Sequence, residues 1–215
     1  MNGVSTKVQL GIAKQLQIGK VSINNALFLI FPDSALSFAG GAYKINGIIG
    51  LPIIKALEQI VIKKDTMEIP LIAGNTPGKH NLALDLLQPI VYMDYKRKPL
   101  PFTFDSGAQR TIFSDNFYKQ FKTELDATAK QDSVRMGGAG GTRKMRTLQV
   151  PQLVFTMDKK QAVFNKVQII LESTNVSDKY YYGNVGQDMF NQFDSMTINF
   201  VNSSVSFGNR NSSAK

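Results

Sequence analysis

The sequence contains no cysteine and a single histidine, His80. The absence of cysteine excludes disulfide bonds and thiolate-ligated metal ions. One histidine is too few for a metal site built from several histidines. It also could not form a Ser-His-Asp triad and leave a second histidine for another role. His80 itself lies between a lysine and an asparagine, which is typical of a loop. We therefore expect neither a metal ion nor a cofactor.

Long hydrophobic runs are also missing. The longest apolar run, from Ala26 to Phe31, has six residues and is far too short to span a membrane. No apolar core follows Met1, so we expect no signal peptide in this chain. The run is interpreted instead as a buried strand that follows a turn at Asn24 and Asn25.

Acidic residues are outnumbered: 16 aspartates and glutamates face 25 lysines and arginines, which gives a formal net charge of +9. Such a balance can indicate a nucleic acid or an anionic membrane as partner. The basic residues are scattered over separate turn-like places, however. No arginine-rich helix and no aromatic RNA-binding motif accompanies them. We expect no nucleic-acid partner.

The residues that are plentiful favour strands. The chain has 215 residues, 43% of them hydrophobic, which is enough for one large or two small domains. Val, Ile, Phe, Tyr and Thr are frequent, and Gly and Asn recur at short intervals, as in proteins with many short strands. The pattern predicts an all-β fold with short helices, at Ile53–Leu57, Ser114–Phe121 and Asp188–Phe193. Ser114 or Asp115 would cap the second of these helices.

One predicted strand ends directly before an aspartate. Residues Pro101–Phe104 alternate as a strand with one buried face does, and Asp105 follows directly. A carboxylate at the inner end of such a strand is costly to bury unless it is hydrogen-bonded or used in chemistry. Ser106 can donate a hydrogen bond locally, Gly107 allows a second backbone to come close, and Ala108 is small. Asp-Ser-Gly is also an ordinary turn sequence, so the tripeptide alone does not separate a functional site from a turn.

The chain contains an internal repeat. Residues 47–62 parallel residues 183–198 at an offset of 136 residues. Asp105 precedes the second copy of the repeated glycine, at Gly186, by about 80 residues. The equivalent of Asp105 in the first copy would lie about 30 residues before Met1. We therefore predict two similar lobes, of which the first is incomplete.

The domain boundaries follow from this repeat and from the Gly/Pro-rich stretch after Ala73. We predict the C-terminal part of a first lobe at residues 1–74, a linker at 75–79, a complete second lobe at 80–210 and a polar tail at 211–215.

The order and spacing of these motifs resemble the pepsin-like and retropepsin-like aspartic peptidases, including their bacterial members. In that family each lobe has a hydrophobic strand that ends in Asp-Thr/Ser-Gly, a supporting apolar-Gly segment, a short helix and a closing hairpin. Asp105 with Val185–Gly186 matches the second lobe, although Asn184 departs from the usual apolar residue. Ile49–Gly50 matches the end of the first lobe. The resemblance covers nearly the whole chain.

The resemblance implies a bilobal, pepsin-like acid protease fold that is all-β, has short helices and lacks the start of its first lobe. It also implies that Asp105 is catalytic and that Ser106, Gly107 and Ala108 form the loop that supports it. The apolar-Gly segments Val185–Gly186 and Ile49–Gly50 would each lie beneath the active-site loop of their own lobe. The start of the chain would fall near the tip of a flap, although the tyrosine common there is not seen; the flap residues would be Asn2, Gly3, Val4 and Ser5.

The implied chemistry needs two carboxylates that share one proton across a water molecule. We find one of them, Asp105. Asp33 is not followed by glycine, and Asp65 lies in a lysine-rich turn. Asp188 and Asp194 fall at helix ends, where capping is the more common role of an aspartate.

Three interpretations remain open. The chain is part of a longer two-lobed aspartic endopeptidase, secreted or periplasmic, that acts on peptides or proteins. Alternatively, two copies form a homodimer and bring two Asp105 side chains together. In the third, the chain is a peptide-binding module of the same fold without catalysis.

Overall fold

The computed structural model describes residues 7–38, 42–74, 80–138, 141–172 and 180–210. The predicted flap, linker and tail, at residues 2–5, 75–79 and 211–215, lie outside these ranges. Strands predominate over helices, which confirms the all-β prediction. In the described ranges, no helix combines the length and apolar composition that crossing a bilayer requires.

The helices are short: α1 covers Leu51–Ala56, α2 covers Asp115–Leu125, α3 covers Gln187–Phe190, and a single 3₁₀ turn covers Asp33–Leu36. The strands of the described residues are β1 Gln9–Ile18, β2 Val21–Ile30, β3 Ser37–Phe38, β4 Tyr43–Lys44, β5 Gln59–Lys63, β6 Met67–Glu68, β7 Leu82–Asp85, β8 Gln88–Tyr95, β9 Lys98–Phe104, β10 Ile112–Phe113, β11 Lys130–Gly138, β12 Gly141–Met157, β13 Lys160–Ile170, β14 Gly183–Val185, β15 Ser195–Asn199 and β16 Ser204–Phe207.

The chain divides into two compact units. The first unit comprises residues 1–57 and 135–144, and the second comprises residues 58–134 and 145–215. The division of the chain into lobes at residues 75–79 stays a prediction.

Eight strands form one sheet in the order β11-β12-β13-β10-β14-β9-β8-β7. Strand β14 comes late in the chain but lies between β9 and β10, parallel to β9 and antiparallel to β10. The strand that ends at Asp105 is part of a hairpin formed by β8 and β9, with Tyr95 opposite Lys98. This insertion of β14 brings residues 184–185 beside the strand that ends at Asp105.

The core of the second unit is a cluster of phenylalanine rings. Phe102, Phe113, Phe117 and Phe155 are fully buried, and Phe164 is nearly so. The Phe155 ring centroid lies 5.6 Å from that of Phe102 and 5.3 Å from that of Phe113. Each buried ring stabilises the fold by about 1.5–3 kcal/mol relative to an exposed one, and edge-to-face pairs add to this.

A second sheet, in the order β16-β15-β5-β6, shows the internal repeat directly. In the repeat, Ile60 is equivalent to Met196 and Ile62 to Ile198. The strands β5 and β15 pair Ile60 with Ile198 and Ile62 with Met196, around a central pair of Val61 and Thr197. Equivalent strands are thus related by a local two-fold axis within this sheet.

Both predicted helices after Asp105 are present, with different bounds. Helix α2 continues to Leu125 instead of ending at Phe121, although the backbone at Phe121 is not helical, because Phe117 and Leu125 are both buried. Ser114 stands at the N-cap position, but its hydroxyl donates to the Tyr181 carbonyl at 2.8 Å and forms no cap hydrogen bond. The predicted side-chain cap at Ser114 is therefore wrong.

The interpretation of residues 24–31 is also wrong in two respects. Asn24 and Asn25 lie inside β2, where Asn25 has a positive φ of 55°, and the turn is at Gly19 and Lys20. Ala26 is buried, but the four apolar residues after it, Leu27–Ile30, are exposed, with Leu27 at 60% of its full accessible surface. Within the described residues β2 pairs only with β1, so an apolar strand here lacks a covering layer.

Candidate active site

Asp105 lies at the point where β9 leaves the core. The side chains of Phe102, Thr103 and Phe104 are buried, whereas Asp105 is exposed. A turn begins there, closed by a hydrogen bond from the Ala108 amide to the Asp105 carbonyl at 3.1 Å. The buried strand fixes the backbone while the carboxylate remains accessible to a substrate.

The turn also orients the carboxylate. The Gly107 amide donates a hydrogen bond to Asp105 Oδ1 at 2.8 Å. Among the described residues, the hydrogen bonds to this side chain end on Oδ1, and no lysine or arginine forms an ion pair with it. Asp105 Oδ2 is therefore open to water or a ligand.

Strand β14 supports this turn from the side. The Asp105 amide donates to the Val185 carbonyl at 3.0 Å, which continues the parallel pairing of Val185 with Phe104. Directly after Val185, Gly186 packs against the turn so closely that a Cβ there would lie 2.6 Å from the Ala108 carbonyl oxygen. A glycine is required at this position because no side chain fits against that backbone.

The start of α3 holds the same turn by two hydrogen bonds from Gln187. Its amide donates to the Ala108 carbonyl at 2.8 Å, and its side-chain Nε2 donates to the Ser106 carbonyl at 2.9 Å. The structure thus brings together Asp105, the predicted supporting loop 106–108 and the predicted apolar-Gly pair 185–186.

Asp188 and Thr111 form a further connection that the sequence did not reveal. Asp188 Oδ1 accepts hydrogen bonds from the Thr111 amide at 2.8 Å and from the Thr111 hydroxyl at 2.6 Å. The Thr111 hydroxyl in turn accepts from the Gly186 amide at 3.0 Å. Asp188 therefore ties α3 to the segment that follows Asp105. This is a different role from the helix capping that its position predicts.

Asn184 stands where the resemblance predicts an apolar residue, and its side chain forms a hydrogen bond within the sheet. Its side-chain Oδ1 lies 2.7 Å from the hydroxyl of Thr103, the residue with which it pairs across β14 and β9. The same buried hydroxyl also lies 3.2 Å from the Gly183 carbonyl, so Asn184 adds a second acceptor to one that the backbone already supplies. Asn184 is thus compatible with the packing of the strand beneath Asp105.

The other aspartates considered from the sequence have different surroundings. Asp33 is paired with Lys44 at 2.6 Å, and the hydrogen bond and charge of Lys44 hold its pKa below the usual range. Asp65 is exposed in the connection between β5 and β6, and Asp194 Oδ1 accepts from the Ser195 hydroxyl at 2.9 Å. Among the described residues, no acidic side chain forms a hydrogen bond with Asp105.

Gly50, the other predicted apolar-Gly position, stands at the N-terminus of α1 in the first unit. A Cβ at Gly50 would meet only Pro52 of its own helix, at an ordinary 3.6 Å. The preceding Ile49 is 48% exposed. In the described residues, nothing packs on Gly50 as the Asp105 turn packs on Gly186.

The structure offers no assembled metal centre in the described ranges, since no group of three or more His, Cys, Asp or Glu side chains is placed to hold an ion. His80 is exposed, and its Nδ1 lies 2.6 Å from the Asn202 carbonyl. Its interpretation as a surface residue agrees with this contact.

Comparison with known proteins gives limited information. No protein-family model matches the chain, and no curated protein matches it. Among solved structures, EIAV protease complexed with the inhibitor HBY-793 is similar to 48% of this chain and 86% of its own chain, at 14% sequence identity and a TM-score of 0.35.

Proposed function

We propose that the chain is part of an aspartic-type endopeptidase in which Asp105 is one of two catalytic carboxylates. One observation carries the proposal. An exposed aspartate follows a strand whose last three residues are buried, is oriented by the Gly107 amide at 2.8 Å, and is supported by a glycine at 186 that leaves no room for a side chain. An ordinary surface turn does not need such support from a distant strand.

The arrangement suits activation of water. In a pair of carboxylates that share a proton, the ionised member takes a proton from water and the protonated member polarises the scissile carbonyl. The pair titrates as a unit, because two adjacent negative charges repel. Asp105 Oδ1 is occupied by the Gly107 amide, and we assign Oδ2 to the water molecule.

Because no described acid lies against Asp105, we assign the second carboxylate to a segment outside the described residues or to another copy of the chain. The proposed substrates are peptides or proteins, and the mechanism uses no metal ion or cofactor. We extend the proposal to an exported parent protein, secreted or periplasmic.

The test is the substitution Asp105→Asn in the native full-length protein, assayed on a peptide library between pH 3 and 7. Loss of a general acid-base group reduces the rate by about 10²–10⁴, while an exposed Asp-to-Asn change leaves stability within about 0.5 kcal/mol. The matched control is Asp65→Asn, since Asp65 is also an exposed aspartate in a turn of the second unit. Unchanged cleavage by the Asp105 variant would contradict the proposal.

A non-catalytic peptide-binding module is the second candidate, and one observation favours it: the described residues place no acid against Asp105. A monomeric protein that binds library peptides without cleaving them would support this candidate. Dimerisation together with cleavage that is lost in Asp105→Asn would instead support a homodimeric peptidase.

A further inference from the structure

The face of hairpin β1–β2 that points away from the buried Ala26 carries four exposed aliphatic side chains. The strands pair Leu10 with Leu29 and Ile12 with Leu27. Because alternate pairs of an antiparallel ladder point to the same face, the four side chains lie side by side. Their exposed fractions are 56–70%. We call these four residues the outer patch.

Hairpin β12–β13 provides a comparison, because its ladder has the same interruption at one residue of positive φ in the second strand. This residue is Lys166, at 51°, and its equivalent in β2 is Asn25, at 55°. Counting from it gives the equivalent positions of the two hairpins. On the inner face Ile169 is fully buried, whereas the equivalent Phe28 is 39% exposed.

The outer faces differ in chemistry. The positions equivalent to Ile12 and Leu27 are Gln149 and Gln168, which pair with each other in the ladder. Both side-chain amides donate to Asp132 Oδ2, at 3.4 Å and 2.9 Å. Polar side chains with partners inside the protein therefore stand in β12–β13 where β1–β2 exposes aliphatic ones.

The positive charge of the chain is concentrated in the first unit. Residues 1–57 and 135–144 contain eight lysines and arginines but one acid, Asp33, which gives a formal net charge of +7. The second unit contains seventeen basic and fifteen acidic residues, a net charge of +2. Asp33 is already paired with Lys44 at 2.6 Å. Seven basic residues of the first unit thus have no acidic counterpart within that unit.

Lysines flank the outer patch along β1. Lys14 stands two residues after Ile12, and Lys7 stands three residues before Leu10. Both lysines are exposed, as is Lys20 at the turn of the hairpin. Residues 1–32 contain no acid. The hairpin thus combines exposed aliphatic side chains with charge of one sign.

We propose that the outer patch and its lysines bind the surface of an anionic lipid bilayer. Leucine and isoleucine side chains enter the boundary between headgroups and acyl chains, while the lysines contact the lipid phosphates. The hairpin lies in the interface and does not cross the bilayer, because a two-stranded hairpin leaves backbone groups at its edges unpaired, which is costly in hydrocarbon.

The composition of the patch favours a bilayer over a protein partner. Protein interfaces concentrate their binding energy in tryptophan, tyrosine and arginine, whereas the outer patch consists of leucine and isoleucine. Fluid acyl chains accept such side chains without a complementary surface. A second copy is disfavoured, because it would bring another unit of charge +7 against this one.

The test measures sedimentation of the native full-length protein with lipid vesicles. One set of vesicles is phosphatidylcholine alone, and the other also contains phosphatidylglycerol. We expect about tenfold tighter binding or more to the anionic set, because each lysine near such a surface contributes about fivefold. Raising the salt from about 0.1 M to about 1 M shortens the Debye length from about 10 Å to about 3 Å and should abolish this preference.

Two variants locate the site. Leu27→Asp should weaken binding to the anionic vesicles by about tenfold or more, and Lys14→Gln should weaken it by about fivefold. The matched controls, Val201→Asp and Lys159→Gln, make the same changes at exposed positions of the second unit. Both should stay within about twofold of the parent protein. Thermal unfolding checks that each variant is folded, and Lys14→Gln decides the test if Leu27→Asp is not.

Four results would overturn the proposal. The first is equal binding to neutral and anionic vesicles, and the second is binding that neither variant weakens. The third is equally tight binding to soluble polyglutamate that Leu27→Asp also weakens, which would indicate an acidic protein partner. The fourth is a dimer that forms without vesicles and that Leu27→Asp dissociates. Asp105→Asn should bind vesicles as the parent does, so this proposal and the proposed function fail separately.

Discussion

Gly50 and Gly186 occupy equivalent places in the internal repeat, each after an apolar residue and before a short helix, yet their surroundings differ. A Cβ at Gly186 would collide with backbone atoms of Ala108 and Arg110, at 2.6–2.8 Å. A Cβ at Gly50 would meet only a neighbouring proline ring at 3.6 Å. The same local sequence therefore becomes a strict requirement only where another segment packs against it. The hairpins β1–β2 and β12–β13 show the same contrast on a larger scale.

The strongest test of this contrast truncates one large side chain in each hairpin, Phe155 in β12 and Ile18 in β1. Phe155→Ala should destabilise the second unit by about 3–5 kcal/mol, because the ring is fully buried among five other aromatic rings. Ile18→Ala should cost less, about 1–2 kcal/mol, since this side chain is smaller and only partly buried. Denaturant unfolding of both variants measures the difference. Equal losses would show that the face of β1–β2 is already covered.

The two glycines give the next largest effect. Gly186→Ala should cost about 1–3 kcal/mol or more, because backbone has to move to admit the methyl group, and this lowers the melting temperature by roughly 3–10 °C. Gly50→Ala should shift the melting temperature by less than about 2 °C, since the methyl group meets ordinary contact distances. A similar loss in both variants would mean that Gly50 also lies beneath a close neighbour.

The Thr111 connection is a third test, confined to the second unit. Thr111→Val keeps the shape but leaves the Gly186 amide and one Asp188 hydrogen bond unpaired. The expected cost is about 1–3 kcal/mol, with a fall in peptide cleavage because one of the connections between α3 and the segment after Asp105 is lost. Thr111→Ser retains the hydroxyl and should recover most of both, as measured by thermal unfolding and by kcat. A Thr111→Val protein with unchanged stability and kcat would show that this connection does not position Asp105.

The sequence predicts those features that depend on residues close together in the chain, and misses those that depend on residues far apart in it. Alternation around Phe102 and Phe104 and the frequency of β-formers predict strands, because these signals are local. The contact of Thr111 with Asp188 spans 77 residues and has no local signature. The exposure of Leu27 could not be predicted either, because an apolar strand looks the same whether or not another layer covers it. Ser114 was predicted as a cap from its position, but the Tyr181 carbonyl, 67 residues away, takes its hydroxyl.

The smallest predicted effect is on the stability of the fold at acidic pH, and here too the two units differ. In the second unit, burial alone would raise the pKa of Glu124, but hydrogen bonds from Lys96 and Tyr95 outweigh it and lower the pKa. In the first unit, Lys44 lowers the pKa of the exposed Asp33. Both carboxylates therefore contribute stability above their unfolded pKa values, near 4. That contribution is lost as the pH falls through the lower folded values.

The Glu124 contribution should be the larger of the two, because its partner Tyr95 packs on Phe117, Phe121 and Phe155, whereas Asp33 and Lys44 are both well exposed. Glu124→Gln should lower the melting temperature at pH 7 by no more than about 2 °C, as expected of a largely exposed ion pair. The same variant should show a shallower decline between pH 5 and pH 3, because its residue 124 no longer titrates. Asp33→Asn should differ from the parent protein in the same direction but by less than Glu124→Gln. A larger effect at Asp33 than at Glu124 would mean that the first unit is held together more tightly around Asp33 than its exposed surface indicates.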